Sequence, residues 1–199
     1  MTSTKKVLIG LVSFLAILVA VAVVPYGTQS STPTASGGST RTFVVTSTTA
    51  PGASSVLQVC FPREKQACDQ VLVNWISKAN HTVNVMIYSF TLSNVAQALV
   101  AAQKRGVIVH VVQDKSESGV QGSQLSALQS AGIDDRIAQQ SGLMHSKVTI
   151  IDDFIVITGS YNYSNAAQDT SSENLVVIQG KDFNAAYQVE FARVEAISK

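Results

Sequence analysis

His145, Ser146 and Lys147, then Asp152, then Gly159, Ser160 and Asn162, then Glu173 set an imidazole, an ammonium, a hydroxyl, a carboxamide and a carboxylate at fixed spacings around two apolar runs. These groups can attack a phosphodiester without a metal. The diester is an anion, so its attacker must be nucleophilic while carrying little charge. A neutral imidazole, with a free pKa near ~6.5, meets that need. Histidine can also form a covalent intermediate and so divide one difficult step into two. Lys147 supplies fixed positive charge for the non-bridging oxygens. The Asn162 amide and the Ser160 hydroxyl can donate hydrogen bonds as charge builds on phosphorus. A carboxylate behind the imidazole would fix its tautomer and stabilise it once charged, and Glu173 is the candidate for that role.

The elements that must position these groups can be read around them. Val148 to Ile151 and Phe154 to Thr158 are apolar or β-branched, and Asp152 and Asp153 between them signal a turn, so the segment reads as a hairpin. Strand side chains alternate faces. His145 and Lys147 then share a face, as do Ser160 and Asn162 on the returning strand. Asp152 has the opposite parity to His145 and is read as structural, holding the turn, with Gly159 serving the chain's next change of direction.

Taken singly, each residue has an ordinary explanation. A histidine in a strand is usually a surface or core group, a lysine a solvated charge, and Gly159 with Ser160 a turn. Asn162, Tyr163 and Ser164 also fit a glycosylation acceptor. The joint spacing is what selects the catalytic reading.

That spacing matches the HxKxxxxD…GSxN pattern of the phospholipase D superfamily. Tyr88 to Thr91, the segment from Lys104 to Val107 before a strand, and Glu173 with Asn174 before another strand resemble the single-motif, Nuc-type endonucleases. The resemblance covers about Val56 to Ile197. It implies that His145 is a nucleophile forming a phosphohistidine, that Lys147 and Asn162 bind phosphate with Ser160 in the same pocket, and that Glu173 backs the nucleophile.

One histidine is not enough. The leaving oxygen needs a proton, and the second step needs a base to activate water. No second His-x-Lys spacing occurs: His81 falls in a turn and His110 in a strand run, and both are read as structural or exposed. The expectation is a homodimer in which two copies of His145 face each other across a two-fold axis. No cofactor is expected. No metal is expected either: the acidic residues show no cluster of convergent ligands, and the two cysteines lack C-x-x-C spacing.

Lys5 and Lys6 precede an uncharged apolar run at 7–24. As a helix its eighteen residues would span about 27 Å, close to a bilayer core. The run exceeds a typical signal-peptide core and lacks a clear cleavage site before Pro25, which favours an uncleaved anchor over a removed signal peptide. Either way, the two lysines direct the remainder out of the cytoplasm, so the domain is expected to be extracytoplasmic, anchored or secreted. Residues 25–55 are rich in Ser, Thr, Gly and Pro and read as a flexible tether with a reach of about 30 Å. In an oxidising compartment Cys60 and Cys68 could pair; the alternative is two buried thiols.

Residues 56–199 suffice for one domain. Strands are expected at Val56 to Phe61, Thr82 to Tyr88, Val107 to Val112, near Arg136 to Ala138, in the hairpin, and at Glu173 to Ile178. Helices are expected at Asp69 to Ala79, from a Ser93 cap to Gly106, at Gln121 to Ala131, and at Asp182 to Ile197. The alternation argues for an α/β domain with a mixed sheet flanked by helices, preceded by the N-terminal hydrophobic helix. The loop at Asp114, Lys115 and Ser116 follows a strand and could line the cleft; a solvated loop is the preferred reading. Trp75 and Phe191 are assigned to the core.

The chemistry does not choose the substrate, because the resemblance includes enzymes cutting nucleic acid and enzymes cutting phospholipid. Without Lys5 and Lys6, the 14 basic residues fall to 12 against 13 acidic, so no basic face announces nucleic-acid binding. The Nuc-type likeness favours a non-specific endonuclease on DNA or RNA. A phospholipase D-type hydrolase is the alternative, which the apolar run supports. A tethered binding module with a dead site is the third reading.

Overall fold

The structure, a computed structural model, describes residues 54–199. The apolar run at 7–24 and nearly all of the tether at 25–55 lie outside the described residues, and so does the choice between anchor and signal peptide. No helix among the described residues is long and apolar enough to cross a membrane.

Among the described residues seven strands form one mixed sheet: β1 (Ser55–Cys60), β2 (Thr82–Ile87), β3 (Ile108–Gln113), β4 (Asp134–Ile137), β5 (Lys147–Ile151), β6 (Ile155–Gly159) and β7 (Leu175–Gln179). Their order is β1-β7-β6-β5-β2-β3-β4. β2, β3 and β4 run parallel, and β5 pairs antiparallel with β2, so the hairpin sits at the centre of the sheet. Val and Ile dominate these strands because branched side chains pack well on a pleated, covered surface.

Among the described residues five α-helices flank the sheet: α1 (Cys68–Ile76), α2 (Ser93–Lys104), α3 (Leu125–Ser130), α4 (Asn165–Asp169) and α5 (Lys181–Ala196). Val83, Val85 and Ile87 point to one face and join the core formed with α1 to α4, whereas Met86, Val148, Ile150 and Val156 point to the other and pack on Phe191 and Val194 of α5. The period-2 alternation within β2 and β5 thus builds two cores, one on each side of the sheet.

Some expected boundaries move. Ser93 opens α2 as its first helical residue; Leu92 is the cap and supplies no side-chain bond. The helix expected from Gln121 begins only at Leu125, because Gly122 takes a φ of +84° and turns the chain before it. A 3-10 turn at Pro62–Glu64 and the short α4 carry too little periodicity to be read in advance. The Ser164 hydroxyl caps α4 by accepting from the Ala167 N–H at 3.3 Å. Cys60 and Cys68 are joined as a disulfide.

The two ends of the sheet differ. β1 enters at Ser55, opposite Gln179, and Gln179 in turn faces Ile155 beside the hairpin turn. At this end Asp152 adopts a left-handed φ of +50°, and its carboxylate accepts from the backbone N–H groups of Asn80, His81 and Thr82 at 3.1, 2.8 and 2.9 Å. Burial alone would raise its pKa; those three donors more than offset it and hold the carboxyl below the usual range.

A group with a depressed folded pKa contributes stability above its unfolded value of about 3.9 and loses it as the pH falls through the lower folded value. Asp152→Asn keeps the left-handed conformation accessible but removes the charge. It should lower stability by about 2 kcal/mol at neutral pH, with the difference from wild type shrinking below pH ~4, as read from urea melts at a series of pH values.

Candidate active site

The other end of the sheet gathers the chemistry. The register sets Ile87 at the end of β2 against Lys147 at the start of β5, and Gly159 at the end of β6 against Leu175 at the start of β7. Five strand ends, including that of β3 at Gln113, therefore meet on one edge. The residues just outside those ends, at 88, 114, 145, 160 and 173, are brought together by pairing rather than by nearness in sequence.

Lys147 is 7% exposed. Its Nζ donates to the carbonyl oxygen of His145 at 2.8 Å and lies 4.9 Å from the centre of the Tyr88 ring. An ammonium carries three donors. Among the described residues only one is hydrogen-bonded, which leaves two for a ligand. Burial pulls the pKa of Lys147 below that of an ordinary lysine, while the charges of Glu173 and Asp114 work against that shift.

His145 precedes β5 in an extended segment rather than lying within the strand, and its side chain is exposed. Its ring stands 4.5 Å from that of Tyr88, tilted by 53°. One aromatic face thus borders both the imidazole and the ammonium. Tyr88 itself is fixed by its N–H donating to the Ser146 carbonyl at 3.0 Å.

Lys115 and Ser116 are exposed, as expected of a solvated loop, but Asp114 is not: it is 3% exposed. Its Oδ2 accepts from the Met144 N–H at 2.6 Å, and its Oδ1 accepts from the Ser116 N–H and hydroxyl at 2.8 and 2.6 Å. Burial would raise its pKa. The Ser116 and Met144 bonds and the field of His145 together bring it below the usual carboxylate range. Asp114 therefore anchors the backbone directly before His145 as a carboxylate. Its place just past the end of a parallel strand, where α/β proteins build sites, is the signal behind the cleft reading of this loop. The preceding Gln113, equally buried, donates to Asp135 at 2.6 Å, and burial pushes that carboxyl up to about 7.

Ser160 and Asn162 follow β6. The Ser160 hydroxyl oxygen accepts from the Asn174 N–H at 3.1 Å and from its amide at 3.3 Å, leaving its proton to donate. Asn162 accepts from the Ser89 N–H at 3.3 Å through Oδ1, leaving its Nδ2 unclaimed among the described residues. Tyr161 and Tyr163 between and after them are buried, and burial drives both phenols upward, so they remain neutral donors. Tyr163 is held by the Thr149 hydroxyl. Glu173 is half-buried and acts electrostatically on Lys147; within the described chain no hydrogen bond joins it to His145. Asp152 lies at the far end of β5.

Three groups capable of holding a metal do meet: His110, Asp134 and Glu195. They are satisfied by one another and by Arg136. His110 Nδ1 lies 2.8 Å from Glu195 and 3.4 Å from Asp134, and Arg136 grips both oxygens of Asp134 at 2.9 and 2.6 Å. This set ties α5 to β3 and β4, away from the strand ends described above. His81 is exposed in the turn before β2.

Residues 72–195 match the family described as cardiolipin synthase, PLD-like domain. The chain is 34% identical to mitochondrial cardiolipin hydrolase of Xenopus tropicalis over 117 residues, covering 59% of this chain and 56% of that protein. It is 35% identical to phospholipase D of Rickettsia conorii over 133 residues, covering 67% and 66%. It therefore spans less than two thirds of either relative. The crystal structure of Nuc, a phospholipase D family member from Salmonella typhimurium, superposes with a TM-score of 0.69 at 31% identity, covering 74% of this chain and 97% of that one.

Gly159 is the tightest point of the site. Its φ is +143°, and a Cβ there would stand 2.3 Å from the Asn174 carbonyl oxygen, which accepts from both Ser160 and Tyr161 N–H groups. Gly159→Ala should therefore lower stability by roughly 2–3 kcal/mol and move Ser160 and Asn162 off their positions. Thermal melting and turnover should both fall, whereas Gly142→Ala, where the space is open, should change neither.

Proposed function

The chain belongs to the phospholipase D superfamily, and from that premise we propose that it hydrolyses phosphodiesters without a metal, through a phosphohistidine on His145. The observation that carries this reading is the buried ammonium of Lys147, held by a single hydrogen bond to the backbone of His145 and bordered by the same aromatic ring. A buried charge with donors to spare needs an anion.

In the first step the imidazole nitrogen of His145 bonds to phosphorus as the ester oxygen leaves. Lys147, Asn162 and Ser160 hold the non-bridging oxygens through donors that the described residues leave unclaimed. The leaving oxygen takes a proton from the second His145 of a homodimer. That second imidazole then accepts a proton from water, whose oxygen displaces the first, breaking the P–N bond. Glu173 is proposed to support an imidazolium in the assembled site.

Nucleic acid is the favoured substrate. The likeness to Nuc runs over 97% of that chain, whereas the lipid-named relatives are matched over 56 and 66% of their length. Phospholipid is the second reading, and the names of those relatives favour it. We further propose that residues 7–24 hold the domain to a membrane on its extracytoplasmic side. The Cys60–Cys68 disulfide supports an oxidising compartment.

The full-length chain in mild detergent, with a chelator present, should nick plasmid DNA; release of choline from phosphatidylcholine vesicles instead would transfer the assignment to lipid. Brief reaction with substrate carrying radioactive phosphorus, followed by quenching, should leave label on His145. His145→Ala should lose at least ~10³-fold in rate and trap nothing. Activity with no trapped label would defeat the covalent mechanism, and neither product would leave a binding module. A dimer-disrupted chain that keeps full turnover would defeat the shared site.

A further inference from the structure

The segment carrying Ser160 and Asn162 is held from two sides, and both holds lead to one disulfide. On the first side, the Ser160 and Tyr161 N–H groups donate to the Asn174 carbonyl at 3.1 and 3.2 Å. Asn174 immediately precedes Leu175, which pairs with Cys60 across β1 and β7. On the second side, the buried Tyr161 donates its hydroxyl to Oε1 of Gln168 on α4 at 2.9 Å. The same oxygen accepts from the Cys68 and Asp69 N–H groups at 3.2 and 3.4 Å, while Nε2 of Gln168 donates to the Gln66 carbonyl at 2.9 Å.

Those two amides open α1. A helix leaves its first N–H groups without internal partners, and the cap residue Ala67 offers no side-chain acceptor. Gln168, a hundred residues further along the chain, caps α1 in its place. The Cys60–Cys68 bond then closes a circuit running from Cys60 through Leu175 and Asn174 to Tyr161, through Gln168 to Cys68, and back. The intervening segment from Phe61 to Ala67 is largely exposed; beyond its 3-10 turn, the Phe61 N–H donates to Oε1 of Gln66 at 2.9 Å and Arg63 donates to the Thr170 carbonyl at 3.3 Å.

We propose that Gln168 is a positioning residue for the segment Ser160 to Asn162, and that the Cys60–Cys68 bond keeps Gln168 in place, so that turnover depends on the oxidation state of the pair. The kinetic part of this rests on the phosphodiesterase reading above; the positional part does not. Reduction by dithiothreitol converts the S–S bond into two thiols while the reagent closes to its own cyclic disulfide, a two-electron exchange. The covalent side of the circuit is then open, and the cap on α1 rests on hydrogen bonds alone.

The test uses the full-length chain, oxidised and reduced, alongside Gln168→Ala and Tyr161→Phe with the bond intact. Reduction should lower kcat roughly tenfold with little change in KM, since a displaced donor is felt most where charge builds. Gln168→Ala and Tyr161→Phe should show the same pattern, and reduction of either variant should add little further loss. Hydrogen exchange should quicken at the amides of Ser160 and Tyr161 in all three cases and stay unchanged in β2 and β5.

Wild-type kcat and wild-type exchange in a folded Gln168→Ala protein would overturn the positioning role. Losses from reduction and from Gln168→Ala that multiply as independent effects would overturn the link to the disulfide. Should the oxidised wild type turn over neither plasmid nor vesicles, the phosphodiesterase reading fails, and the exchange data alone decide the positional claim. Should reduction unfold the chain, the bond is a fold requirement rather than a positioning device, which overturns the redox link while the two variants still decide the role of Gln168.

Discussion

The burial of one ammonium organises this molecule. Removing Lys147 from water disfavours its charged form, and the surroundings must compensate with fields and hydrogen bonds. The compensation comes from separate parts of the chain: the carbonyl of His145, the face of Tyr88, and the carboxylates of Asp114 and Glu173. Each sits just outside a different strand, so the electrostatic requirement of one side chain constrains the register of most of the sheet. The compensation is also incomplete. Two donors on Nζ stay uncommitted among the described residues, and an incomplete environment for a buried cation is an attractive one for an anion.

The sheet meets this requirement through mixed strand direction. β2 and β3 end where β5 and β7 begin, so parallel and antiparallel pairing deliver chain ends to a common edge. Two-sided packing makes the edge rigid. Val83, Val85 and Ile87 lock β2 against one helical layer, and Met86, with the even-numbered residues of β5, locks it against α5. A slip of one residue would invert every side chain and remove Lys147 from the face it shares with Thr149 and Tyr163.

Where periodicity and composition were strong, the sequence sufficed. The β5–β6 hairpin, α2 and α5 follow from apolar patterning, and the residues that spacing grouped, at 145, 147, 159, 160, 162 and 173, lie at or beside strand ends on one edge of the sheet. What escaped was set by tertiary contact. Asp114 looks like any acidic loop residue until the Met144 amide is brought to it from thirty positions away. Gln168 lies in a five-residue helix too short for a periodic signal, and its partners are Tyr161 and the start of α1. Ser93 has the residue type of a cap, but the chain enters α2 through Leu92, whose N–H donates to the Tyr163 carbonyl at 2.9 Å. Glu173 was matched to His145 by pattern, whereas in the folded chain its field falls on Lys147. Spacing groups candidate residues; it does not say which of them touch.

The direction of β1 has a mechanical outcome. Ser55 lies level with Gln179 and Ile155, on the same end of the sheet as the pinned turn at Asp152, whereas Cys60 lies level with Leu175 and Gly159. β1 therefore begins at the blunt end, some six residues of strand, or about 20 Å, from the edge beside which His145 stands. Sequence joined ahead of β1 and chemistry gathered beyond β2, β3 and β6 thus use opposite rims of one sheet, so a change at Ser55 need not disturb the packing around Lys147.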